Sequence, residues 1–154
     1  MKIYLASPFF SDEQVERVKK VEKALKDNPT VQDFFSPRLN QIDELEFGTK
    51  EWSKAVFKND VDHIDWCDAV VAVHDFTGET NLHGSIHQHV DSGTAFEIGY
   101  AYATGKPVVM IHEKGGIVNL MLSESLKAYF TDAKEVADYD FTKMPSNEFT
   151  GEVL

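Results

Sequence analysis

Two rhythms of apolar and polar positions alternate along this chain: short uninterrupted apolar runs, and longer stretches with helical spacing. Lys2 to Ser7 is an apolar run closed by Pro8, the pattern of a buried parallel strand that ends at once in a loop. Ser11 stands before Asp12, Glu13 and Gln14 as a capping box, and Val15, Val18, Val21 and Leu25 recur at helical spacing up to Asp27-Asn28-Pro29. Val31 to Ser36 predicts a second strand, stopped by Pro37 and followed by a polar, acidic loop from Arg38 to Lys50, long enough to suggest function. Over Glu51 to Trp66, the residues Trp52, Ala55, Val56, Val61 and Ile64 fit a helix or a helix pair with Asn59 and Asp60 near its middle. Ala69 to His74 is β-branched, uncharged and closed by Asp68 and Asp75, so it reads as the central buried strand.

Phe76 to Val90, rich in Gly, Asn and His, reads as a loop. Asp91-Ser92-Gly93 starts a helix that runs to Gly105, and Lys106-Pro107 leads into a strand over Val108 to His112. After the Gly115-Gly116 turn, Asn119 to Tyr129 reads as a short helix, and the last twenty residues as a weak strand with a tail around Pro145 and Gly151. Strands alternating with helices, with Pro and Gly at the junctions, predict an α/β fold: a parallel sheet wrapped on both faces, binding ligands beyond the carboxyl ends of its strands.

Composition narrows the classes. A chain of 154 residues with 42% apolar and 27% charged residues fits one globular domain spanning 1–154, without internal repeat or linker. Its net charge of −11 repels phosphate backbones and anionic membranes, which argues against nucleic-acid and membrane partners. The opening M-K-I-Y-L-A-S-P is too short an apolar run for a signal peptide, and no run approaches a membrane span, so a cytosolic protein is expected. The single cysteine, Cys67, reads as a small core residue.

One residue stands out chemically. Ser92 to Gly105 reads S-G-T-A-F-E-I-G-Y-A-Y-A-T-G, in which Glu97 alone is charged. A helix that is apolar or small all round is expected to be largely buried, and a buried carboxylate needs hydrogen bonds or a positive potential to stabilise it. Gly93 and Ala101, one turn to either side, leave the helix surface beside Glu97 bare, open to a flat or ring-shaped ligand; a buried polar network or an ordinary helix glutamate is the alternative. Asp91 is the N-cap of this helix, a ligand contact, or both. Asp60 reads from composition as a solvated residue, and Tyr4, on the face shared by Lys2 and Ala6, as core or as a phenol reaching the crevice. His83, His87 and His89 lie within seven residues, but no cysteine or carboxylate stands at a recognised zinc spacing, so no metal is expected. Both G-x-G-x-x-G after the first strand and the Walker pattern are absent, and no cofactor is implied.

Six blocks, in order, resemble the nucleoside 2-deoxyribosyltransferase family: K-I-Y-L-A-S-P-F-F-S-D-E-Q (2–14), S-P-R-L-N-Q (36–41), F-K-N-D (57–60), D-S-G-T-A-F-E-I-G-Y (91–100), G-K-P-V (105–108) and N-L-M (119–121). The resemblance implies a flavodoxin-like fold with a five-stranded parallel sheet, a homohexamer built as a trimer of dimers, a place in nucleotide salvage, and transfer of 2-deoxyribose between nucleobases, with deoxyribonucleosides and free bases as the partners. It also implies Glu97 as nucleophile, Tyr4 as the phenol that orients it, Asp91 and Asp60 as the acids around the base, and Gln41 as a base-binding amide. Asn119 and Met121 match positions that reach the sugar's 5′ end in a neighbouring subunit's site, which the family's C-terminal carboxylate also enters; Leu154 replaces the aromatic end of some members. The stretch from Phe76 to Val90 is longer than the family's usual connection.

The implied chemistry explains the residue types. Cleaving an N-glycosidic bond through an oxocarbenium-like transition state calls for a carboxylate facing C1′ and an acid near the leaving base. Two inversions through a covalent glycosyl-enzyme on Glu97 give net retention. Two rivals use the same residues: an N-glycosidase acting on nucleosides or deoxynucleotides that passes the sugar to water, and a non-catalytic nucleoside sensor. Asn119-Leu120-Met121 suits a neutral 5′ hydroxyl, whereas Arg38 is the one cation that favours a phosphate.

Overall fold

A computed structural model describes residues 1–82 and 84–154. The chain runs β1 (Lys2–Ala6), α1 (Asp12–Asp27), β2 (Asp33–Phe35), α2 (Lys50–Trp66), β3 (Ala69–Val73), β4 (Phe76–Leu82), β5 (Ser85–Val90), α3 (Ser92–Ala103), β6 (Val108–Ile111), α4 (Leu120–Ser123), β7 (Ala128–Phe130) and α5 (Glu135–Asp138). β2-β1-β3-β6-β7 form one parallel sheet, with Tyr4 opposite Val70 and Val71 opposite Val109. Without the β4–β5 hairpin, this is the flavodoxin-like strand order, and the crevice lies where the order reverses, beyond the carboxyl ends of β1 and β3.

The central strands are continuous apolar runs because both faces of the sheet are covered. Ile3, Leu5, Val71 and Val109 pack with Val18, Val21 and Leu25 of α1. Tyr4, Ala6, Val70 and Met110 pack with Ile64 of α2 and Ile98 of α3. Each buried aliphatic side chain contributes roughly 1.5–3 kcal/mol. Caps fix the helix starts: Ser11 Oγ accepts the Gln14 N–H at 3.3 Å, and Thr49 Oγ1 that of Trp52 at 3.2 Å. Glu51 to Trp66 lies within a single helix rather than a pair.

Four expectations change. Phe76 to Val90 is an antiparallel hairpin, not a loop, with Thr80 opposite His87; its strands are mostly polar, with too few apolar residues to set an alternating pattern. Only Leu120–Ser123 of the expected Asn119–Tyr129 helix is helical, and Ala128–Phe130 forms the edge strand beside β6. The fifth strand is thus Ala128–Phe130, and the last twenty residues hold α5 and an isolated bridge from Val153 to Val118 instead of a strand. Nor is α3 largely buried: Phe96 is 50% and Tyr102 64% exposed, so part of its apolar surface faces outward.

Candidate active site

Glu97 sits in the second turn of α3, above the end of β1. Tyr4 comes up from β1 beneath it, fully buried, with its ring stacked on Phe35 at 5.7 Å. Its hydroxyl donates to Glu97 Oε1 at 2.5 Å. Tyr4 is therefore core, and its hydroxyl meets Glu97 from beneath without itself lining the cavity. Burial, with the negative charges of Glu97 and Asp60 beside it, pushes the phenol far above its ordinary range and keeps it a donor. Burial likewise lifts the Glu97 carboxyl to about 8; the Tyr4 hydrogen bond opposes the shift, and Asp60 and Asp91 add to it.

Asp60 is half-buried rather than solvated, because α2 lies against α3. Burial raises its carboxyl to about 6, against the pull of His63, one turn along the helix. Asp91 caps α3: its Oδ2 accepts the Thr94 N–H at 2.9 Å and the Thr94 hydroxyl at 3.1 Å. Among the described residues no hydrogen bond occupies its Oδ1, so the cap leaves one oxygen for a ligand. A Cβ at Gly93 would stand 3.1 Å from Asp91 Oδ2, so a side chain there would press on the cap and fill the bare surface.

Glu97, Asp60, Asp91, Gly93 and Gln41 line one cavity of about 780 Å³. Gln41 donates its amide N–H to the Arg38 carbonyl at 3.1 Å. Residues that sequence reasoning did not single out complete the wall, among them Phe10, Asn40, Asp43, Phe47, Trp52 and Asn59. Phe47 and Trp52 stand 4.6 Å apart, and Phe10 and Phe47 are 74% and 82% exposed at the rim. Their signal was the length of the Arg38 to Lys50 loop and the Phe9-Phe10 pair. Among the described residues, four carboxylates and neither Lys nor Arg face this cavity. Arg38 turns away and grips Glu22, Nε to Oε1 at 3.0 Å and Nη2 to Oε2 at 2.5 Å.

Asn119 and Met121 lie elsewhere in the chain. They line a separate cavity of about 680 Å³ beside α3, with Gly99, Tyr102, Leu154 and His87 of the hairpin. Asn119 caps α4 through Met121 N–H at 2.9 Å, and Met121 is 74% exposed. A smaller hollow of about 350 Å³ between α2 and α3 shares Asp60, Gly93 and Glu97 and includes Phe57 and Phe96, 5.8 Å apart. His83 lies outside the described residues; a His89 ring nitrogen meets Thr80 Oγ1 at 2.6 Å. Among the described residues no three His, Cys, Asp or Glu side chains converge to hold a metal, and no helix is long and apolar enough to cross a membrane.

Comparison with known proteins gives a consistent result. A family model described as nucleoside 2-deoxyribosyltransferase matches residues 3–137. A solved structure of a 2-deoxyribosyltransferase from the psychrotolerant bacterium Bacillus psychrosaccharolyticus is 44% identical with a TM-score of 0.81, covering 97% of this chain and 99% of that one. The nucleoside deoxyribosyltransferase of Limosilactobacillus fermentum is 28% identical over 163 residues, 96% of this chain and 90% of that protein. That of Lactobacillus leichmannii is also 28% identical, over 98% of this chain and 96% of that protein.

Proposed function

As the chain belongs to the nucleoside 2-deoxyribosyltransferase family, we propose that residues 1–154 act as one domain that moves 2-deoxyribose between nucleobases through a covalent glycosyl-enzyme on Glu97. Glu97 attacks C1′ as the bond to the departing base breaks, with Tyr4 orienting the carboxylate. Burial lifts both carboxyls toward neutrality, Asp60 to about 6 and Glu97 to about 8, so Glu97 attacks in its ionised form and the proton it gives up is available to the departing base through the neighbouring carboxyls. Asp60, with the open oxygen of Asp91, protonates the departing base and takes the proton of the incoming one. The second base attacks the opposite face, so two inversions give net retention. Gln41 and the aromatic rim of Phe10, Phe47 and Trp52 hold the planar base.

The observation that carries this reading is the hydrogen bond from Tyr4 to Glu97, whose cavity is faced by four carboxylates and, among the described residues, by neither Lys nor Arg. It also favours neutral nucleosides over nucleotides, since a 5′-phosphate would meet only like charge there and Arg38 is committed to Glu22. Asn119 and Met121 line a different cavity from the Glu97 of their own chain, which supports a role for them in a neighbouring subunit's site. The exposed apolar residues Phe57, Phe96, Tyr102 and Met121 on α2, α3 and the start of α4 support assembly of copies through this face, in a homohexamer arranged as a trimer of dimers.

The test is incubation with deoxyinosine and adenine, followed by chromatography. Deoxyadenosine is expected. Free 2-deoxyribose alone would mean a hydrolase, and no turnover a nucleoside-binding sensor.

A further inference from the structure

One side chain joins, from behind, the two loops that flank the crevice. Gln14, in the first turn of α1, is 6% exposed. Its Oε1 accepts the Phe10 N–H at 2.8 Å, and its Nε2 donates to the Phe76 carbonyl at 3.1 Å. Phe10 lies in the loop after β1 and Phe76 opens the hairpin after β3, so this amide ties together the segments that leave the two strands at the switch point. The chemistry needs an amide: a carboxylate would set a second acceptor against the Phe76 carbonyl, and an ammonium would offer nothing to the Phe10 N–H.

The two ends of this staple differ. Phe76 is fixed, with its own N–H donated to Asp75 Oδ1 at 2.8 Å and Asp75 gripped by Arg17 Nε at 2.5 Å. Phe10 is loosely packed, 74% exposed and, among the described residues, with its ring stacked on Phe9 alone at 5.7 Å. Its place on the cavity wall therefore follows from its backbone, and its backbone from Gln14.

We propose that Gln14 is a positioning residue that holds Phe10 over the cavity and so sets how often the glycosyl-enzyme is captured by a base rather than by water; this rests on the reading given under Proposed function. In capture by a base, a ring nitrogen bonds to C1′, the Glu97–C1′ ester bond breaks with its electron pair returning to the carboxylate, and the base N–H proton passes to a cavity carboxylate. In capture by water, the water oxygen forms the bond, the same ester breaks, and the water proton takes the same route. A fixed aromatic wall favours the first path, because it offers a face to a planar base and takes up the space water would fill.

The ratio of free 2-deoxyribose to deoxyadenosine, measured with deoxyinosine and adenine, tests this without depending on how much enzyme is folded. Gln14→Met keeps the length and removes both hydrogen bonds; it should raise the ratio about tenfold, the worth of one or two such bonds, and raise KM for adenine. Phe10→Ala should raise the ratio comparably, and the double variant no further than the larger single effect, because both act through one wall. A Gln14→Met enzyme with the wild-type ratio overturns the proposal. Should that variant fail to fold, Phe10→Ala decides, and an unchanged ratio there overturns it equally. A wild-type protein that forms no deoxyadenosine is a separate result, which removes the transferase reading before any variant is made.

Discussion

Asp75 and Glu97 are both carboxylates drawn into the protein near the strand ends, yet their surroundings are opposite. Asp75, with its side chain 1% exposed, has Arg17 at 2.5 Å and Lys114 at 3.9 Å. Glu22 is treated the same way, with Arg38 against it. Among the described residues no Lys or Arg faces the cavity of Glu97: a phenol holds it, two more carboxyl groups stand near it, and its proton affinity rises. Charges buried for structure are neutralised by partners, because an uncompensated one is costly. The carboxyl of Glu97 is left without a neutralising cation among the described residues, so burial raises its proton affinity instead.

The contrast breaks most sharply at Glu97. Glu97→Ala should lower transfer roughly a thousandfold or more while circular dichroism and thermal melting stay near wild type, because it removes the proposed nucleophile without breaking an ion pair. Arg17→Met should do the reverse: it strands Asp75, costs about 3 kcal/mol in urea unfolding, and spares the Glu97 chemistry in whatever protein remains folded. Asp60→Asn should lower kcat about a hundredfold and erase the limb of the pH–rate profile near pH 6, as expected of a group whose carboxyl titrates at about 6. Tyr4→Phe should cost about tenfold in kcat and raise the Glu97 carboxyl further, since the lost hydrogen bond favours the ionised form.

The smallest effect lies in stability. The folded state holds the Glu97 proton up to about pH 8, whereas the unfolded chain releases it near 4.5. Between those values the native state binds more protons, so unfolding free energy should fall as pH rises through this window. Glu97→Gln should flatten that fall and stabilise the protein at pH 9 by about 1–2 kcal/mol; an unchanged slope in urea titrations across pH would count against the buried, unpaired state of Glu97.

Much of this was readable in the sequence where one physical signal dominated. β1, α1, β3 and α3 were legible because their apolar runs, spacing and caps agree. Glu97 was legible because a lone charge in an apolar helix has few explanations. The β4–β5 hairpin was not, since its mostly polar strands hold too few apolar residues to set a period, and Ala128–Phe130 hid in a stretch equally apt for a helix. Asp60 looked solvated because a sequence does not show that α2 lies against α3. Phe10, Phe47 and Trp52 meet at one rim from separate segments, and only the fold brings them together. Asn119 and Met121 are candidates only through the resemblance, and within one chain they stand in a different cavity from Glu97.

Mass spectrometry of the protein quenched in acid during turnover of a deoxynucleoside tests the central claim most directly. The account predicts one deoxyribosyl group, located by peptide mapping on Glu97 and removed by adding a free base. An enzyme that transfers the sugar without ever carrying it, or carries it on another residue, would contradict the account.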